Sequence, residues 1–148
     1  MDAEITIKNY RCFPDTKPAR LLVRDGFTAF IGINNSGKSS LLKFFYELRG
    51  LFSALSSANA NWTEALRGNP RPFNQASTVV DPDELFHNGN NRGLEIAFRC
   101  IINHADHTPP IPHEVTVSVP RTNNTFILQL STAKGLFQID NQAGLVAL

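Results

Sequence analysis

Long apolar runs, cysteine pairs in number and a charge imbalance are all missing from this 148-residue chain. No stretch approaches the roughly 20 consecutive apolar residues that span a bilayer, so no membrane partner is expected. The opening Met1-Asp2-Ala3-Glu4 is acidic and carries no apolar core of a secretory signal. The chain therefore reads as soluble and cytoplasmic. Two cysteines, Cys12 and Cys100, are too few for a disulfide framework, and their apolar or aromatic neighbours make each an expected buried, reduced thiol. Fourteen Lys and Arg against 13 Asp and Glu leave a formal net charge of +1. No global field draws such a chain onto nucleic acid, and no Lys/Arg run makes a local one.

What is present centres on Gly32-Ile33-Asn34-Asn35-Ser36-Gly37-Lys38-Ser39, which fits the phosphate-binding pattern G-x-x-x-x-G-K-[ST]. Gly32 and Gly37 allow a tight turn and let backbone approach a phosphate with no Cβ in the way. The N–H groups between them, including those of Asn34, Asn35 and Ser36, converge into an anion nest, and the following helix aims its positive N-terminus at the same point. Lys38 supplies a point charge for the β- and γ-phosphates, and the Ser39 hydroxyl is a hard oxygen ligand for Mg²⁺. The expected cofactors are thus ATP and Mg²⁺.

The flanks agree with the motif. Phe27-Thr28-Ala29-Phe30-Ile31 reads as a short buried strand. Leu41, Leu42, Phe44, Phe45, Leu48, Phe52 and Leu55 then recur at helical spacing, which predicts a helix from the loop to about Gly50, with a ragged continuation to Leu55 and one buried face. Before the loop, Ile5 and Ile7 alternate with polar residues and Leu21-Leu22-Val23 follows a Pro-rich turn, so two strands precede the phosphate-loop strand.

Three regions are expected: strands, loop and helix over 1–55, an irregular insertion over 56–91, and an antiparallel β-subdomain over 92–148. Ser, Asn, Pro and Gly dominate the insertion, which is expected to pack little and open readily. Short helical pieces are predicted at 62–67 and 83–86, the second started by Asp81 as cap with Pro82 in its first turn. Alternation then predicts strands at 94–101, 115–119, 126–130 and 136–139, with turns at Asn123-Asn124 and Lys134-Gly135 and a Pro-rich connection over 103–112.

Other chemistry is thinner. His104, Asp106, His107 and His113 cluster without the ligand set of a metal centre and read as a solvated loop. Gln75 and Gln138 are candidates for an Mg²⁺-contacting amide. Asp81, Asp83 and Glu84 are explained by capping, and Trp62 with Phe73 by pinning the loop. No catalytic residue can be assigned. A GTPase would show Asn-Lys-x-Asp and Asp-x-x-Gly, and neither occurs; a kinase, or a non-catalytic module in which nucleotide orders a partner surface, stays open as an alternative.

With those residues in view, the chain resembles the N-terminal lobe of the ABC-type ATPase head of SMC, RecF-type and OLD (overcoming lysogenization defect) proteins. Ile5-Thr6-Ile7-Lys8-Asn9-Tyr10-Arg11-Cys12-Phe13 is similar to that family's opening strand. The run from Gly32 through Ser40 to Leu42 is similar to its phosphate loop, with Asn35 in place of a commoner Gly. The meander is similar to its β-subdomain. The resemblance implies an α/β P-loop NTPase fold, places Ser40 beside the loop, and gives Arg11 a position from which some relatives reach the nucleotide. It implies a role in DNA repair or phage defence, with DNA met through a parent protein. The apolar run closed by Asp-Glu that orients the attacking water is absent, since Val79-Val80-Asp81 is short and meets Pro82; the Leu-Ser-Gly-Gly-Gln-like signature is absent too. The expected object is the front part of an ATPase head, completed by a C-terminal half or by a homo-oligomer.

Overall fold

In a computed structural model of the chain, the residues described are 3–24, 26, 29, 31, 37–56, 64–76, 79, 81–102, 111–122, 124–132 and 135–136; side chains of 100–102, 111–113, 130–132 and 135–136 are left aside. The described residues form a mixed α/β structure in which one sheet carries two short helices. The strands are β1 (Ala3–Lys8), β2 (Ala19–Val23), β3 (Arg71–Pro72), β4 (Leu94–Ile102), β5 (Ile111–Val119), β6 (Thr125–Thr132) and β7 (Gly135–Leu136). Their order is β2-β1-β4-β5-β6-β3, with β7 also on β6, and every pairing is antiparallel. The meander β4–β7 follows the predicted strand order, but β5 starts at Ile111. Ile111 and Pro112, expected in the Pro-rich connection, pair with Ile102 and Ile101, and Gly135, expected in a turn, pairs with Thr132. The 136–139 strand is seen at Gly135–Leu136, and its remainder lies outside the described residues.

Alternation sets the faces. Ile5 and Ile7 on β1 pair with Phe98 and Ile96 on β4, which pair with Val115 and Val117 on β5. Because neighbouring side chains on a strand point oppositely, these line one face, and Ile7, Ile96, Val117 and Leu128 are buried there. Thr6, Lys8 and Glu95 take the other face, where Lys8 and Glu95 form an ion pair. β1 thus joins the same sheet as the meander, although more than 80 residues separate it from β4 in sequence.

On the apolar face lies α1 (Lys38–Glu47), continued by α2 (Arg49–Ser56) after a break at Leu48. The Leu48 and Phe52 N–H groups still donate to the Phe44 and Leu48 carbonyls, so the two run as a nearly continuous rod. Leu41, Phe44, Leu48 and Leu51 face the sheet and are buried. Two expected core positions are corrected here: Leu42 is 61% and Phe45 40% exposed, and with Tyr46 at 54% they form an outward stripe. The seven apolar residues around α1 cannot all share one face of about 100°, and Leu42 and Phe45 are the surplus.

A second correction falls just upstream. Ile31 is 95% exposed and neither it nor Ala29 is in a strand; Phe27, Thr28 and Phe30 lie outside the described residues. The insertion is also better packed than its composition suggests. It supplies Ala65, Phe73, Ala76, Leu85 and Phe86 to the core, and β3 adds an edge to β6. Both predicted helical pieces occur: one turn at 64–66, and a 3₁₀ turn at Pro82–Leu85 whose cap, Asp81, accepts the Asp83 N–H at 2.9 Å.

Gly50 is where the insertion crosses the rod. A Cβ placed there would lie 1.7 Å from the Asn74 carbonyl oxygen, and a backbone atom cannot swing aside as a side chain can. Gly50→Ala is expected to destabilise the fold by about 3 kcal/mol, a drop in Tm of roughly 6–12 °C; calorimetry with an unchanged Tm would contradict the crossing.

Candidate functional site

The first turn of α1 is where the sequence motif ends. Gly37 is the N-cap, left-handed at φ 86°, and among the described residues no side chain caps the helix. No acidic residue occupies its first turn. The first intrahelical bond runs from the Leu41 N–H to the Gly37 carbonyl at 2.9 Å. The N–H groups of the opening turn therefore have no intrahelical partner, and the helix dipole adds partial positive charge at the same end. Of the expected ligands, Lys38 and Ser40 are half-buried and Ser39 is exposed. Gly32, Asn34, Asn35 and Ser36 lie outside the described residues.

Gly37 is held from behind by the turn that follows β1. A Cβ on it would sit 2.6 Å from Phe13 Cζ and 3.3 Å from Cys12 Sγ. Glycine is thus required twice, by its φ and by this contact. The Cys12 thiol donates to Ser40 Oγ at 3.5 Å and is exposed, which corrects the buried thiol expected from its neighbours. The Cys100 side chain lies outside the described set.

The turn itself is tight. Tyr10 and Phe13 exchange backbone hydrogen bonds at 3.2 and 2.8 Å, and both Asn9 (φ 58°) and Arg11 (φ 45°) are left-handed. Asn tolerates that conformation by local hydrogen bonding, and here Asn9 Oδ1 accepts from the Asp15 N–H and from Asn90 Nδ2. Arg11 has no such help and is held by its neighbours: its N–H donates to the Leu85 carbonyl, and its own carbonyl accepts from His87 Nδ1 at 2.6 Å. A carbonyl only accepts, so that His87 nitrogen carries the proton.

The Arg11 guanidinium is engaged by the far end of α1, where Nη2 donates to Glu47 Oε1 at 2.5 Å and Nε to Oε2 at 3.2 Å. Tyr10 Oη donates to the same carboxylate at 2.7 Å. Glu84 stands as a second, looser carboxylate at 3.9 Å from Arg11. A cavity of about 690 Å³ opens alongside, with Arg11, Cys12, Lys43, Asp81, Asp83 and Glu84 in its lining. Arg11 was expected from the family resemblance to approach a nucleotide; the structure places it on Glu47, nine residues beyond Lys38.

Glu47 is the residue that sequence reasoning missed. It is 6% exposed in a helix whose inward positions are otherwise apolar. The signal was available: Glu47 falls three after Phe44 and four before Leu51, on the buried spacing, where a carboxylate demands a partner. Burial raises the Tyr10 pKa well above the ordinary tyrosine range, and the hydrogen bond to Glu47 adds to it. Burial opposes the Arg11 charge, but Glu47 and Tyr10 outweigh it and hold the guanidinium pKa above its usual value.

The Tyr10 shift has a sign. A proton held more tightly in the folded state contributes stability in full below the unfolded tyrosine pKa of about 10, and that contribution is lost as pH rises beyond it. Denaturant midpoints measured from pH 8 to 11 are expected to fall in wild type and to fall less steeply in Tyr10→Phe; parallel curves would contradict a buried, protonated Tyr10.

The remaining candidates separate cleanly. Gln75 Nε2 is buried with no hydrogen-bond partner among the described residues, while Gln138 lies outside them. His104, Asp106, His107 and Trp62 lie outside too, as does the His113 side chain. Among the described residues no group of three or more His, Cys, Asp or Glu is placed to hold a metal. Phe73 is buried in the core. No described helix is long and apolar enough to cross a membrane.

The Gly-Lys-Ser sequence thus opens a helix set on a mixed α/β frame. Residues 1–114 match the family model described as the AAA ATPase domain, and the chain belongs to that family. The family is one of nucleotide-binding ATPases. Comparison with curated proteins gives no match.

Proposed function

We propose that this protein binds Mg²⁺·ATP at residues 32–39, as the N-terminal lobe of an ATPase head of the OLD/SMC/RecF type. The observation that carries the reading is the first turn of α1: a left-handed Gly37 cap and no acidic residue, directly at Lys38 and Ser39. The N–H groups of such a turn suit an anion. When bound, Mg²⁺ would supply charge neutralisation at the phosphates, with the Ser39 hydroxyl as its protein ligand. Lys38 fixes the terminal phosphates, and the loop amides orient them.

The outward stripe of Leu42, Phe45 and Tyr46 supports a further element of the reading. Exposed aromatics on the helix behind a phosphate site are costly to leave in water, and a C-terminal half of the head, or a second copy, would cover them. Action on DNA, in repair or phage defence, would then belong to the parent assembly. Titrating the protein with ATP, ADP and GTP, with and without Mg²⁺, tests the core of the proposal. Saturable binding of ATP that strengthens with Mg²⁺ is expected; no binding of any nucleotide would defeat it.

A further inference from the structure

We propose that Glu47 is a positioning residue for the phosphate loop, acting through the 10–13 turn that it anchors. The inference rests on the nucleotide-binding reading above and extends it to a residue outside the motif.

Four consecutive residues grip α1 at both ends. Cys12 and Phe13 press on Ser40 and Gly37 at its start. Tyr10 and Arg11 bind Glu47 at its last residue. Lys38 and Glu47 are nine positions apart, about 14 Å along the axis at 1.5 Å per residue. The Glu47 carboxylate takes three hydrogen bonds, from Tyr10 Oη, Arg11 Nε and Arg11 Nη2. It therefore decides where the turn sits on the helix, and the turn decides how firmly Phe13 backs the left-handed Gly37.

Arg11 makes this arrangement conditional. Its backbone is left-handed, a conformation that a non-glycine residue keeps only where its surroundings impose it. Its guanidinium has Glu84 within 3.9 Å as an alternative partner. With Glu47 neutralised, Arg11 is free to turn toward Glu84, and Phe13 loses its fixed seat against Gly37. The same turn is tied to the segment after the 3₁₀ turn, through the Arg11 N–H on Leu85, the Tyr10–Phe86 bridge and His87 on the Arg11 carbonyl. By reciprocity, nucleotide at the loop must then stabilise residues 84–87.

The test is a double-mutant cycle read by calorimetry with ATP·Mg²⁺, using wild type, Glu47→Gln, Phe13→Ala and the double variant. Gln keeps the size and an acceptor oxygen while removing the charge. Each single change is expected to weaken binding about tenfold, and the double variant no further than either alone. Residues this far apart with no shared contact would otherwise multiply to about a hundredfold. Amide exchange gives the second readout: protection of 84–87 on adding ATP in wild type, and its loss in Glu47→Gln. Wild-type affinity in Glu47→Gln, even with a lowered Tm, would make Glu47 merely structural and overturn the inference, as would multiplicative effects. A wild type that binds no nucleotide removes the underlying reading and this inference together. Should Glu47→Gln fail to fold, Tyr10→Phe removes one of the three hydrogen bonds; about threefold weaker binding is expected, and unchanged affinity with unchanged 84–87 protection overturns the proposal.

Discussion

Lys38→Ala is expected to bind ATP about 10- to 100-fold more weakly than wild type. The estimate follows from removing one charge-assisted contact to phosphate, worth about 1.5–3 kcal/mol. Lys38 is the first residue of α1, so its ammonium and the helix N-terminus would serve the same anion. The loop amides remain in the variant, which is why some affinity should survive. Its fold should be intact, because Lys38 is absent from the hydrophobic core. Calorimetry with equal affinities for the two proteins, at equal Tm, would show that nucleotide does not meet this loop.

Turnover is the second large effect, and its expected value is near zero. Phosphoryl transfer needs the γ-phosphate held, the metal fixed and a water placed in line. On the proposed reading, Lys38, Ser39 and the loop would provide the first and part of the second. Among the described residues the water-orienting carboxylate has no candidate of the right kind: the Asp83-Glu84 pair lies on an exposed 3₁₀ turn. Those two carboxylates stand 3.9 Å from Arg121 and Arg11 respectively, and Arg11 is bound to the far end of α1. One missing stabilising group typically costs 100- to 1,000-fold, so the purified chain should release phosphate no faster than its Lys38→Ala variant. A phosphate-release assay showing steady turnover that Lys38→Ala abolishes would mean that a catalytic carboxylate is present, with Glu84 and Asp83 the first to replace.

The two outcomes are independent. Binding without turnover is the signature expected of a lobe whose catalytic residues arrive from a covering partner, and the Leu42–Phe45–Tyr46 stripe is where that partner would sit. Turnover without dependence on Lys38 would point away from the loop altogether.

The sequence by itself determined the elements that depend on local chemistry. Alternation placed β4, β5 and β6, Asp81-Pro82 announced the 3₁₀ turn, and the Gly-Lys-Ser spacing located the start of α1. Each is a matter of period, capping or backbone freedom within a few residues, and each survived folding. Tertiary structure decided what proximity alone can settle. It chose which of the apolar residues on α1 go inward, because a single sheet covers one face of a helix and leaves Leu42, Phe45 and Tyr46 outside. It exposed Cys12, since the tight turn that presses Phe13 onto Gly37 carries the thiol to the surface. It drew the insertion into the core through Phe73 and Phe86, whose backbone partners, Asn124 and Tyr10, lie far along the chain. And it joined Arg11 to Glu47 across 36 positions: the buried spacing of Glu47 demanded a cation, but only the return of β1 beside the helix said which one.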